Sequence, residues 1–336
     1  MSKDFGSARF GDFDGVHGVY HPYEMKLARP DIRHPRIVLA ACPALPEGDG
    51  DDVELVAALR HRGLHARWLS WDDPETLRAD LVILRATWDY IDRLDDFLDW
   101  TTRVANLLNP PAVVAWNTDK HYLADLADAG VPTVPSHFFA PGERVRLPRG
   151  EVVVKPAIGA GSVGAQRFTD AQSARAHAAA LHGAGSTVLV QPYDRRVENG
   201  ETALVFLSGE PSHAFAKGPV LPPAGQRPVF DPSGTYAEET LTPADPDFEI
   251  WDIGHAALDA AAAQVNISAT DLLYARVDII GGPDNPLLLE LELVEPSLGW
   301  RQLDRTARDL QQRKFAVGVE SALDRLGLGP LSHRRP

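Results

Sequence analysis

Short apolar runs and stretches of helical spacing alternate along most of the chain. Ile37-Val38-Leu39-Ala40-Ala41 has the unbroken apolar character of a buried strand. Asp51 and Asp52 then offer caps for a helix carrying Val53, Leu55, Val56 and Leu59, which Gly63 stops. Leu81-Val82-Ile83-Leu84 is a second buried strand, and a helix is expected over residues 97–108. This alternation predicts an open, mostly parallel α/β sheet. A third helix is expected to begin near Asn117-Thr118-Asp119 and end at Gly130, with Pro132 and Pro135 stiffening the link beyond it.

After that link the pattern becomes α+β. Val152-Val153-Val154 predicts a strand, followed by a glycine-rich loop, a helix over 170–181 and a strand over 187–190. A hairpin over 202–217 turns at Ser208-Gly209-Glu210. Residues 218–246, crowded with proline and glycine, read as a long loop, and such loops are functional or disordered. A helix over 251–265, two strong strands and a helix over 304–326 complete the pattern. The expected organisation is an extension over 1–33, an N-terminal α/β substrate domain over 34–133, a small subdomain over 134–200, a larger subdomain over 201–328 and a tail over 329–336.

The segment 272–297 carries the strongest chemical signal. Its two strands are separated by Gly281-Gly282-Pro283-Asp284-Asn285, which is turn chemistry, so an antiparallel hairpin is expected. Side chains alternate along a strand, so Arg276 and Asp278 share one face. Glu290 and Glu292 share a face on the return strand, with Leu289, Leu291 and Leu293 opposite. Folding about residues 283–284 gathers three carboxylates and one guanidinium, which repel unless cations neutralise them. An all-oxygen set of this kind suits magnesium, completed by water and nucleotide phosphates. A bland alternative is a solvated edge hairpin, but the strongly apolar strands argue for a central sheet.

Val154-Lys155-Pro156 leads into Ala157-Ile158-Gly159-Ala160-Gly161-Ser162-Val163-Gly164. Glycines let backbone N–H groups approach phosphate oxygens, Ser162 adds a hydroxyl, and Lys155 is placed to neutralise phosphate charge. The order is neither a Walker A loop nor a dinucleotide fingerprint. A formal net charge of −14 argues against a nucleic-acid partner, while a local basic pocket for a small anion remains compatible with it. No apolar run is long enough for a membrane span, the N-terminus lacks a signal-peptide core, and Cys42 is the only cysteine, so a cytoplasmic setting is expected.

Together these features resemble the ATP-grasp superfamily, particularly glutathione-synthetase-like ligases and the O-ureidoserine cyclo-ligase group of cycloserine biosynthesis. The matching segments are Asn117-Thr118-Asp119-Lys120, Val154-Lys155-Pro156 with its loop, Gln191-Pro192-Tyr193, Gly200-Glu201, Arg276-Val277-Asp278, and Glu290-Leu291-Glu292 with Pro296-Ser297. They occur in family order over residues 36–326. The resemblance implies an ATP-grasp fold behind an N-terminal open α/β domain, with 134–200 as the lid. It implies an ATP- and Mg2+-dependent ligase, ADP-forming, that joins a carboxylate to an amine through an acyl phosphate.

By position, the resemblance implies that Lys120, Lys155, Gly159, Gly161 and Ser162 hold ATP phosphates, Gln191 and Tyr193 frame adenine, and Glu201 takes the ribose hydroxyls. Asp278, Glu290 and Glu292 would hold two magnesium ions, with Mn2+ an acceptable substitute, and Arg276 would stabilise the reacting charge. Two positions depart from the family: Glu292 replaces a frequent asparagine, and Ala203 replaces a frequent arginine, for which Lys217 could substitute.

Substrate candidates are Arg85, Trp88 and Asp89 after a buried strand, with Lys217 and Arg301 as further ones. The expected partner is an amino-acid-like or peptide small molecule, with homodimerisation left open. Intramolecular cyclisation of a ureido-amino acid and a non-catalytic ATP-binding regulator are the alternatives. His121, His213 and His255 are expected to be structural or surface residues.

Overall fold

The computed structural model describes residues 34–219, 221–224, 226, 229–230 and 240–329. The expected extension over 1–33, most of the tail and part of the long loop lie outside the described residues.

The first sheet is parallel, as its apolar runs predict. It comprises β1 (Arg36–Ala41), β2 (His65–Ser70), β3 (Leu81–Ala86) and β4 (Leu107–Leu108) in the order β2-β1-β3-β4. Helices α1 (Leu55–His61), α2 (Leu94–Arg103), α3 (Pro111–Asn117) and α4 (Tyr122–Asp128) accompany it. Three local expectations are corrected. Asp51 and Asp52 do not cap α1, and Glu54, which precedes it, makes no side-chain cap bond; both aspartates are buried, Asp51 accepting from the Trp300 and Arg301 N–H groups and Asp52 from the Trp300 indole. The helix expected over 97–108 ends at Arg103, and Leu107-Leu108 pair with β3 instead. The buried Asn109 side chain, bonded to Leu273 N–H and to the Tyr274 and Leu293 carbonyls, ties this stretch to a distant strand. The helix expected from Asn117 to Gly130 is confined to Tyr122–Asp128: Asn117 ends an earlier helix, and Lys120 N–H donates to Ala157 O across the molecule at 2.8 Å.

The second sheet is antiparallel: β5 (His137–Phe139), β6 (Val152–Pro156), β7 (Gln166–Phe168) and β8 (Val188–Pro192) in the order β5-β8-β6-β7. Helix α5 (Ala171–Gly183) packs Ala174 and Ala178 with Val152, Val154, Val188 and Val190, and Asp170 caps it through Ser173 N–H.

The third sheet is also antiparallel: β9 (Glu201–Leu207), β10 (Glu210–Lys217), β11 (Leu241–Ala244), β12 (Tyr274–Ile280) and β13 (Leu287–Glu292) in the order β11-β10-β9-β12-β13. On one side α6 (Phe248–Gln264) joins Ala257, Leu258 and Ala261 to Leu204, Phe206, Val277 and Ile279. On the other, Phe315 and Val319 of α7 (Arg305–Arg325) pack with Val205 and Tyr274, and also with Ile37 and Leu39 of β1. The first and third sheets thus share one apolar core. Among the described residues no helix is long and apolar enough to cross a membrane.

Candidate functional site

A cleft of about 270 Å³ lies where the three sheets meet. Its acidic wall is the β12–β13 hairpin. The register pairs Arg276 with Glu292 and Asp278 with Glu290, so all four side chains fall on one face. The register then shifts, with Ile279 opposite Leu288, leaving Leu289 as an extra residue. That bulge turns Leu289 into the cleft beside Glu290, rather than onto the opposite face expected for it.

Asp278 is fully buried and does not line the cleft. Its Oδ1 accepts from Arg276 Nε at 2.9 Å, and its Oδ2 accepts from Arg276 Nη2 at 3.0 Å and Lys217 Nζ at 2.9 Å. Arg276 also bonds Glu292, and its Nη1 donates to Ser297 O at 3.0 Å. Glu290 pairs with Lys120 Nζ at 2.9 Å, and the same ammonium donates to Gly159 O at 2.7 Å. Burial raises the Glu290 pKa, but Lys120 and Lys155 outweigh it and hold the carboxyl well below its ordinary range. Glu292 goes the other way: burial, with Asp278 and Glu290 nearby, lifts it to about 7 despite Arg276.

The opposite wall is the loop after β6. Gly161 (φ 56°) and Ser162 (φ 62°) both adopt left-handed conformations, which make a tight turn over the cleft. Lys155 lines the same space. Burial lowers its pKa, Lys120 and Lys217 lower it further, and Glu290 only partly restores it. Gln191 and Tyr193, at the end of β8 and just beyond it, also line the cleft. The Gln191 amide donates to Ser136 Oγ, and the Tyr193 ring lies under Arg167 with the guanidinium 3.6 Å from its centroid. Glu201 opens β9 and meets Lys217 Nζ at 3.4 Å.

Of the substrate candidates, Trp88, Lys217 and Arg301 line the cleft. Arg85 does not: it is buried, bonded through Nε and Nη2 to Asp52 and through Nη2 to Pro296 O, and stacked on Tyr274. Asp89 is likewise engaged away from the cleft, accepting from Trp71 Nε1 and Arg93 Nη2. Arg85 thus ties the first sheet to Asp52 and to the distant Pro296 carbonyl, whereas Asp89 is held by the nearer Trp71 and Arg93. Two acids that the sequence did not single out also line the cleft, Asp49 and Glu295, together with Ser297 of the Pro296-Ser297 segment. Glu295 interrupts an apolar stretch after β13, which is a legible signal; Asp49 in a Gly-Asp-Gly turn has none. Burial, with Glu292 nearby, raises the Glu295 pKa to about 8 against the opposing pull of Lys120, Arg276 and a bond to Tyr90. Of the three histidines expected to be structural or surface residues, His213 is buried with Nε2 2.7 Å from Leu298 O.

Among the described residues no cluster of three or more His, Cys, Asp or Glu forms a ready metal cage. Glu290 and Glu292 still present oxygen donors on one wall, matching a magnesium site that phosphate oxygens and water complete.

Residues 37–109 match the family described as the N-terminal domain of the D-cycloserine synthetase DcsG. The cycloserine biosynthesis protein DcsG of Streptomyces lavendulae is 36% identical over 269 residues, covering 74% of this chain and 88% of that protein. The crystal structure of D-cycloserine synthetase DcsG superposes with a TM-score of 0.72 at 32% identity, over 84% of this chain and 98% of that one. The D-alanine–D-alanine ligase of Bacillus anthracis, solved with ATP, shares the fold at a TM-score of 0.58 and 14% identity, over 87% and 98% of the two chains. With this extent of similarity, and with the motif residues converging on one cleft, the chain belongs to the DcsG family of ATP-grasp ligases.

Proposed function

We propose that this ligase closes a ring within one ureido-amino-acid molecule, using ATP and Mg2+ and passing through an acyl phosphate. The observation that carries the reading is the meeting of Lys120, Lys155 and the 159–164 loop with Arg276, Glu290 and Glu292 in one cleft. Lys155 is desolvated among other cations, and a polyphosphate supplies the negative charge this crowding lacks. Gln191, Tyr193 and Glu201 frame the nucleoside end of ATP, while Trp88 and Arg301 face the amino-acid end. Glu290 and Glu292 would hold a pair of Mg2+ ions, or Mn2+ in their place, which would supply neutralising charge to the phosphate oxygens. Asp278 serves from behind, fixing Arg276 and Lys217 rather than facing ligand.

In this scheme a carboxylate oxygen of the substrate attacks the γ-phosphorus and ADP leaves. The distal nitrogen then attacks the acyl carbon, and phosphate leaves with one carboxylate oxygen. Arg276, held by Asp278 and Ser297 O, stabilises the charge that grows in both steps. The ring-closing choice rests on the similarity to DcsG over most of both chains. The three units over 34–133, 134–200 and 201–328 act as substrate domain, lid and metal-bearing domain. Turnover of O-ureidoserine labelled with oxygen-18 in its carboxylate tests the scheme. ADP, a cyclised product and labelled phosphate are expected; AMP with pyrophosphate, or unlabelled phosphate, would overturn it.

A further inference from the structure

One end of the cleft is built from groups that phosphate and metal chemistry leave unused. Asp49 follows β1, Trp88 and Tyr90 follow β3, and Glu295 and Ser297 follow β13; all five line the cleft. Asp49 is held in place by the Asp51 N–H on Oδ1 at 2.9 Å and the Ser297 hydroxyl on Oδ2 at 2.6 Å. Glu295 is 7% exposed and hydrogen-bonded to the Tyr90 side chain. Glu290, Glu292 and Asp278 each meet a lysine or arginine, whereas neither Asp49 nor Glu295 forms an ion pair among the described residues. Burial without a paired cation holds Glu295 largely protonated, and a cation placed between it and Asp49 would favour its ionised form.

This end also adjoins the reacting centre. Ser297 bridges the two: its hydroxyl holds Asp49, and its carbonyl accepts from Arg276 Nη1 at 3.0 Å. In an α-amino acid the amino nitrogen and the carboxylate carbon share Cα and lie about 2.5 Å apart. A cation-binding wall for that substrate must therefore border the group that receives its carboxylate.

We propose that Asp49 and Glu295 form a subsite for the α-ammonium group of the amino-acid substrate whose carboxylate faces Arg276. The assignment rests on the ligase reading above and extends it to chemoselectivity. An ammonium held between carboxylates keeps its proton, so its nitrogen has no lone pair for the activated acyl carbon. Attack is then left to the distal nitrogen, and neither self-condensation through the α-amine nor a linear peptide results.

Calorimetric titration of the full-length protein, saturated with ADP and Mg2+, separates the possibilities. The probes are D-cycloserine, which carries the free amine, and isoxazolidin-3-one, the same ring without it. Asp49→Asn and Glu295→Gln keep size and hydrogen-bonding capacity while removing charge. Each is expected to weaken D-cycloserine by about 10–100-fold, as for loss of one charge-assisted contact, and to leave isoxazolidin-3-one within a factor of about two. Unchanged D-cycloserine affinity in both variants, or equal loss for the two probes, overturns the subsite while leaving the ligase reading standing. A wild-type protein that binds ADP but neither ring compound overturns the substrate reading and the subsite together.

Discussion

Replacing Arg85 by alanine is expected to cost stability rather than substrate affinity. Arg85 and Asp52 are 1% and 2% exposed, and their ion pair joins the first sheet to the segment that carries Ser297 and Arg301. Arg85 Nε donates to Asp52 at 2.8 Å, and Nη2 reaches Pro296 O at 2.9 Å. Without the guanidinium, Asp52 keeps only the Trp300 indole N–H, at 2.9 Å, among these side-chain partners. Removing one member of a buried pair typically costs about 3–5 kcal/mol, or roughly two to three and a half orders of magnitude in the folding equilibrium. Proton uptake limits the loss. Burial already raises the Asp52 pKa although Arg85 opposes it, and losing Arg85 raises it further. A carboxyl whose folded pKa exceeds its unfolded value favours folding at low pH and loses that contribution as pH rises. The Arg85→Ala penalty should therefore be smaller at pH 5 than at pH 8. Urea denaturation followed by tryptophan fluorescence at both pH values measures it, and the double change Arg85→Met with Asp52→Leu should recover most of the loss. An unchanged midpoint together with a raised KM for the amino-acid substrate would refute the reasoning and return Arg85 to the substrate site.

Arg276→Lys keeps a cation beside buried Asp278 but loses the planar fork that reaches Asp278, Glu292 and Ser297 together. The expected result in single-turnover kinetics is a kcat lower by about 10²–10³ with ATP affinity altered far less. His213 should impose an acid limit on stability. Burial holds its pKa at about 4 against an ordinary 6.5, so its contribution is complete above 6.5, shrinks as pH falls and is gone below about 4. The size is about 3 kcal/mol, and His213→Gln should flatten the stability profile across that interval in urea titrations from pH 7 to pH 4.

The hairpin chemistry was legible in the residues themselves. Period-two alternation and a glycine-proline turn are local properties, and they placed Arg276, Asp278, Glu290 and Glu292 on one face before any tertiary contact was known. The helix starts near residues 170 and 304 and the parallel character of the first sheet were readable for the same reason. Tertiary structure decided the rest. Whether an acid faces solvent, cation or cleft depends on groups far along the chain: Lys120 reaches Glu290, Asp52 reaches Arg85, and Ser297 reaches Asp49. Arg85 looked like a substrate arginine because its residue type and place after a strand are the same in both roles. Only packing against Tyr274 and Pro296 distinguishes them. Spacing determines which side chains share a face, while burial and charge pairing, which select the function of each, are set by residues that sequence separates and folding brings together.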